Sequence, residues 1–270
     1  MRRLLLSLTV AASLGLSGCG GAEWGLHARS TTTETRPLAG DGRFELENTN
    51  GRVEVTGWDE EKVQIEATKR AGSERGLEKI QIEITGEKDS VRVRTRFQRA
   101  HWLLGAGRVD YTVRVPRGAR VRVENVNGRV EVAGVSAEVA ASNVNGSIEV
   151  DGASAVDASV VNGTVAVALS RVDPQGHSKI STTNGAVRLT LPADANAEID
   201  ARTTNGGIAC DFDLADETRA RRRLSGRIGS GGARFELRTV NGAVNIDRGL
   251  SSRAAERQPA EAAPESPESR

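Results

Sequence analysis

The side chains able to do covalent or acid–base chemistry are few, and their spacing does not bring them together. His27, His101 and His177 each stand without a partner at helical or metal-ligand spacing, so no metal site is expected. Cys19 and Cys210 are the only thiols, and neither has a CxxC companion, which leaves no zinc knuckle and no disulfide framework. Phosphate-loop, dinucleotide and calcium-repeat signatures are missing, and Ile228-Gly229-Ser230-Gly231-Gly232 lacks the first glycine of a nucleophile elbow. No catalytic residue and no cofactor is expected. Two charged features remain. Glu54, Glu131 and Glu149 share one register and form either an acidic stripe for a cation or glycan, or solvent-facing strand positions. Arg219, Arg221, Arg222 and Arg223 form either a contact for anionic headgroups or a solvated insertion.

The composition limits what must position these groups. The chain has 270 residues, 37% hydrophobic and 27% charged, so it is not a disordered polyelectrolyte. Its formal charge of +1 supplies no field for nucleic acid, and 3% aromatics gives no stacking platform for single strands. No nucleic-acid partner is expected. An interior so poor in rings must be filled by Val, Ile, Leu and Ala.

Seven Asn-Gly pairs recur, each followed by alternating apolar residues. They are Asn50-Gly51, Asn127-Gly128, Asn145-Gly146, Asn162-Gly163, Asn184-Gly185, Asn205-Gly206 and Asn241-Gly242. From Asn127 onward the separations are 18, 17, 22, 21 and 36 residues. Alternation on both sides, as in VRVENVNGRVEV, marks strand, turn, strand with one buried face. Glycine permits positive φ, and asparagine tolerates it better than most residues. Two all-β architectures fit: an antiparallel sandwich of Asn-Gly hairpins, and a β-solenoid with Asn-Gly corners. The regular spacing favours the solenoid, in which Asn127, Asn145, Asn162, Asn184 and Asn205 would stack as a hydrogen-bond ladder.

Around this repeat the chain divides into five parts. Residues 1–18 carry Arg2 and Arg3 followed by an apolar run too short to span a bilayer, as in a secretory signal peptide. Residues 19–39 read as a flexible tether, 40–115 as a wider N-terminal β region and cap, 116–250 as the repeat solenoid, and 251–270 as a disordered tail. Leu16-Ser17-Gly18-Cys19 resembles the lipobox of bacterial lipoproteins, which implies acylation of Cys19 and anchoring to membrane lipid. Gly20, in place of Asp, favours the outer membrane in a Gram-negative cell. Cys210 is then left for a small, buried role.

The segments LENTNGRVEVTGWDEEKVQIEATK, VPRGARVRVENVNGRVEV and GSGGARFELRTVNGAVNI resemble the bacterial putative-adhesin family of unknown function, over roughly residues 40–248. That resemblance implies a cell-envelope β-solenoid and assigns no catalytic residue. The expectation is a non-enzymatic, lipid-anchored envelope protein presenting a surface for adhesion or scaffolding, with an envelope protein or glycan as partner. An envelope-stress sensor or regulator is the alternative, and a polysaccharide-active enzyme on a β-helix a further one.

Overall fold

A computed structural model describes residues 26–97 and 107–250. The signal segment, Cys19, His101, Trp102 and the tail 251–270 lie outside the described residues.

Apart from one short helix, the described residues are built into strands. They begin with β1 (Ala28–Glu47), β2 (Val53–Trp58) and β3 (Lys62–Ala71), then α1 (Glu74–Glu78), β4 (Ile80–Thr85), β5 (Lys88–Phe97) and β6 (Gly107–Pro116). Strand pairs flanking Asn-Gly corners follow: β7 (Arg120–Asn127) with β8 (Val130–Ala133), β9 (Glu138–Asn145) with β10 (Ile148–Asp151), and β11 (Ala155–Asn162) with β12 (Val165–Ala168). Next come β13 (His177–Asn184) with β14 (Val187–Leu191) and β15 (Ala197–Asn205) with β16 (Ile208–Cys210). The hairpin β17 (Ala215–Ala220) and β18 (Arg223–Ile228) precedes β19 (Ala233–Asn241) and β20 (Val244–Arg248).

This is the β-solenoid and not the sandwich of hairpins. Across each Asn-Gly corner the two strands enter different layers and pair in parallel with the next coil, as Ile148 does with Val165 and Ser142 with Ser159. The first layer runs β3, β6, β2, β8, β10, β12, β14, β20, β16. The second runs β4, β5, β1, β7, β9, β11, β13, β19, β15, β18, β17. Strand β1 joins them, because its first half pairs antiparallel with β3 and its second half stacks between β5 and β7.

The two inward faces close on a narrow core of small branched residues, such as Val132, Ile148 and Val167 against Val123, Ala141 and Val156. Alternation produces this directly, since every second residue of a strand points to the same face. The N-terminal end is wider and takes Phe44 and Tyr111, with Thr95 Oγ1 and Tyr111 Oη 2.7 Å apart. Burial pushes the Tyr111 phenol up to about 12.

Three expectations change. The last coil in sequence, β19 and β20, is not the last in space; it is inserted between β13/β14 and β15/β16. The hairpin β17–β18 takes the outer edge of β15 with antiparallel pairing, so the stack stops there and the chain returns to fill the slot inside. Residues 28–37, within the stretch read as a tether, are strand; backbone bonding to β3 orders them although most of their side chains are exposed. Cys210 is half-buried on the edge strand β16, with burial pushing its thiol up.

Candidate functional site

Two sets of hydrogen bonds fix the corners, the second missing only at Asn162-Gly163, where Val160 takes the capping position. The asparagine amides form one continuous ladder. Asn127 Nδ2 donates to Asn50 Oδ1 at 2.7 Å, Asn145 to Asn127 at 2.8 Å, and Asn162 to Asn145 at 3.0 Å. Asn184 continues to Asn162 at 2.8 Å, Asn241 to Asn184 at 2.8 Å, and Asn205 to Asn241 at 2.9 Å. Asn205 therefore does not sit on Asn184, because the inserted coil places Asn241 between them. Two residues before the corner, buried side chains cap the neighbouring glycine carbonyl, as Asn143 does for Gly128 and Thr182 for Gly163.

Outside the core, the second layer carries a graded row at the third residue before each corner asparagine. In stack order it reads Glu47, Glu124, Ser142, Ser159, Ser181, Arg238, Arg202, and then Arg223 of β18. Three serines thus form a floor between an acidic and a basic wall. From Glu124 to Arg238 is four strand spacings, about 19 Å. The acidic wall is internally paired, with Arg122 on Glu124 at 2.7 Å and Arg94 on Glu47 at 2.7 Å. The Arg94 guanidinium holds the Glu47 carboxyl below the usual carboxylate range.

The basic wall differs. Arg202 bonds Asp200 at 2.9 Å and holds it low, and Arg238 bonds Glu236 at 3.2 Å. Arg222 reaches the same place from the β17–β18 turn and has no ion pair among the described residues. Together with Ser159, Ser181 and Thr204, the three arginines line an open hollow of about 610 Å³. A guanidinium has five N–H donors and spends only part of them on one carboxylate. The hollow therefore offers charged donors beside hydroxyls, the groups that bind a carboxylate, sulfate or phosphate.

The four arginines singled out from sequence do not act alike. Arg219 is tied to Glu217 at 2.5 Å and Arg223 approaches Asp200 at 3.6 Å, while Arg221 is exposed and Arg222 faces the hollow. Glu54, Glu131 and Glu149 do fall in one register on the first layer. Arg52 pairs with Glu54 and Glu131, and Arg129 with Glu131 and Glu149. Burial raises the Glu131 carboxyl, but the hydrogen bonds from these two arginines outweigh it and hold the group low. Among the described residues no group of three or more His, Cys, Asp or Glu is placed to hold a metal ion.

Ser142, Ser159, Ser181, Arg202 and Arg238 escaped the sequence reading. Their signal is a shared offset from the corner asparagine, visible once the repeats are aligned on it. The order of that column is a property of the stack alone.

Residues 119–247 match the family model described as Toastrack DUF4097. No curated protein matches the chain. Similar solved structures include a putative cell adhesion protein from Clostridium sporogenes, at 12% identity and TM-score 0.44, covering 81% of this chain and 100% of that one. A putative adhesin from Bacteroides fragilis is similar at 10% identity and TM-score 0.25, covering 81% and 96%. A putative lipid binding protein from Parabacteroides distasonis is similar at 9% identity and TM-score 0.23, covering 80% and 96%.

Proposed function

We propose that this chain, whose residues 119–247 match the Toastrack DUF4097 family model, is a non-enzymatic, lipid-anchored envelope protein that binds an extended acidic glycan. The observation that carries the reading is the hollow where Arg202, Arg222 and Arg238 meet Ser159, Ser181 and Thr204. Serines along the floor offer donors and acceptors to sugar hydroxyls, and the arginines offer bidentate donors to a uronate or phosphate group. Each strand repeats the floor at about 4.8 Å, so a polymer can meet similar groups along its length.

Full-length protein in detergent should bind polygalacturonate, measured by titration calorimetry, with affinity that falls as salt rises. The triple variant Arg202→Gln, Arg222→Gln, Arg238→Gln should lose about tenfold or more, the equivalent of about 1.4 kcal/mol. Equal binding by the triple variant, or equal binding of neutral dextran by the wild type, would contradict the glycan assignment.

The anchor rests on the Leu16-Ser17-Gly18-Cys19 motif. Two or more acyl chains give stable membrane attachment, where one gives only reversible binding. Cells fed labelled palmitate should label the wild type and leave Cys19→Ala unlabelled. Label in both would remove the anchor.

A further inference from the structure

We infer that Asn205-Gly206 is a site of spontaneous modification, the one Asn-Gly pair that cyclises and deamidates while the protein stays folded. The reaction needs the backbone nitrogen of the glycine to attack the asparagine Cγ. A new N–Cγ bond forms, the Cγ–Nδ2 bond breaks, and ammonia leaves carrying the glycine amide proton. Water then opens the succinimide at either carbonyl, leaving aspartate or isoaspartate. No oxidant or enzyme is required, and glycine lets the nitrogen approach because it has no side chain.

In six of the seven corners that nitrogen is occupied. The N–H groups of Gly51, Gly128, Gly146, Gly163, Gly185 and Gly242 each donate to the corner carbonyl of the next coil at 2.9 Å. Those acceptors belong in turn to Asn127, Asn145, Asn162, Asn184, Asn241 and Asn205. The six asparagines of these corners also accept a neighbour's amide at Oδ1, which holds the side chain on the ladder.

The seventh corner lies at the end of the stack. Asn205 donates to Asn241, but among the described residues nothing donates to its Oδ1 and Gly206 N–H has no acceptor. Hairpin β17–β18 covers β15 only as far as the contact between Thr203 N and Arg222 O at 3.1 Å, short of the corner. Gly206 is also the only one of the seven corner glycines that is exposed; the other six are partly covered. Loss of the amide would replace the Asn205 donor by a carboxylate facing Asn241 Oδ1, removing the last rung of the ladder.

The test is peptide mapping by mass spectrometry of full-length protein held in mildly alkaline buffer, with isoaspartate counted by isoaspartyl methyltransferase labelling. Folded protein should convert Asn205 at least about tenfold faster than any of the other six, because those must first open the stack. In denaturing urea all seven should convert at similar rates. Folded-state conversion of Asn205 no faster than that of Asn127, Asn145 or Asn162 would overturn the proposal, whether all are slow or all react together. Asn205→Gln, which forms the cyclic imide far more slowly, should remove the folded-state signal.

Discussion

Changing Gly146 to alanine is expected to cost the fold about 3 kcal/mol or more, although it adds one methyl group. The corner needs φ of +130°, which an L side chain rarely adopts, and a Cβ there would lie 2.0 Å from the Gly128 carbonyl oxygen. That oxygen is backbone on the neighbouring coil and cannot rotate away. Relief requires these two coils to separate, and separation breaks the amide ladder between Asn127 and Asn145 and the Gly128 N–H bond to Asn145 O at 2.9 Å. Strain of about 1–3 kcal/mol from the dihedral adds to a similar amount from overpacking. Gly207, next to the last corner, is the control, because a Cβ there meets nothing within 4 Å. Gly207→Ala should be neutral or stabilising by up to about 1 kcal/mol. Urea unfolding of both variants separates the effects, and equal midpoints would contradict the steric account.

The same local demand explains why the coils were legible. A corner that has no room for a Cβ, takes positive φ in five of its seven copies and needs a stackable amide writes Asn-Gly wherever it occurs, and alternation beside it marks the buried face. Coil order left no such trace. Each coil presents alternating aliphatic positions and the same asparagine to either neighbour, so nothing near Asn205 or Asn241 states which one rests on Asn184. That choice is made by β17–β18, whose residues from Ala215 to Ala220 are all exposed and carry no periodic signal. Ala28–Pro37 was illegible for a related reason, since it is held by backbone pairing to β3 and not by an apolar face. The serine floor lies between these cases. Its offset from the corner can be read, but Arg238 stands beside Ser181 only because β19 lies beside β13.

That inserted coil makes the end of the chain a structural keystone. In a solenoid whose coils stack in sequence order, removing the last coil shortens the stack and exposes one interface. Here a chain ending at Gly232 loses an inner coil, and with it the pairings of β13 and β15 with β19 and of β14 and β16 with β20. Phe235, Leu237, Val244 and Ile246 are all buried, and at about 1.5–3 kcal/mol each their loss matches much of a domain's net stability. The truncated chain should therefore lose hydrogen-exchange protection throughout 197–228, not only in the deleted segment. Protection in β7–β11 should persist, because those coils keep both neighbours. The full-length variant Phe235→Ala, expected to cost about 3–5 kcal/mol, tests the same seam without shortening the chain. If β15 closed the gap and paired with β13, residues 197–205 would stay protected in the truncated chain and the hairpin would not be what sets coil order. Loss of that protection means the last strands made are the ones that lock those before them, and folding must wait for pairings far apart in sequence.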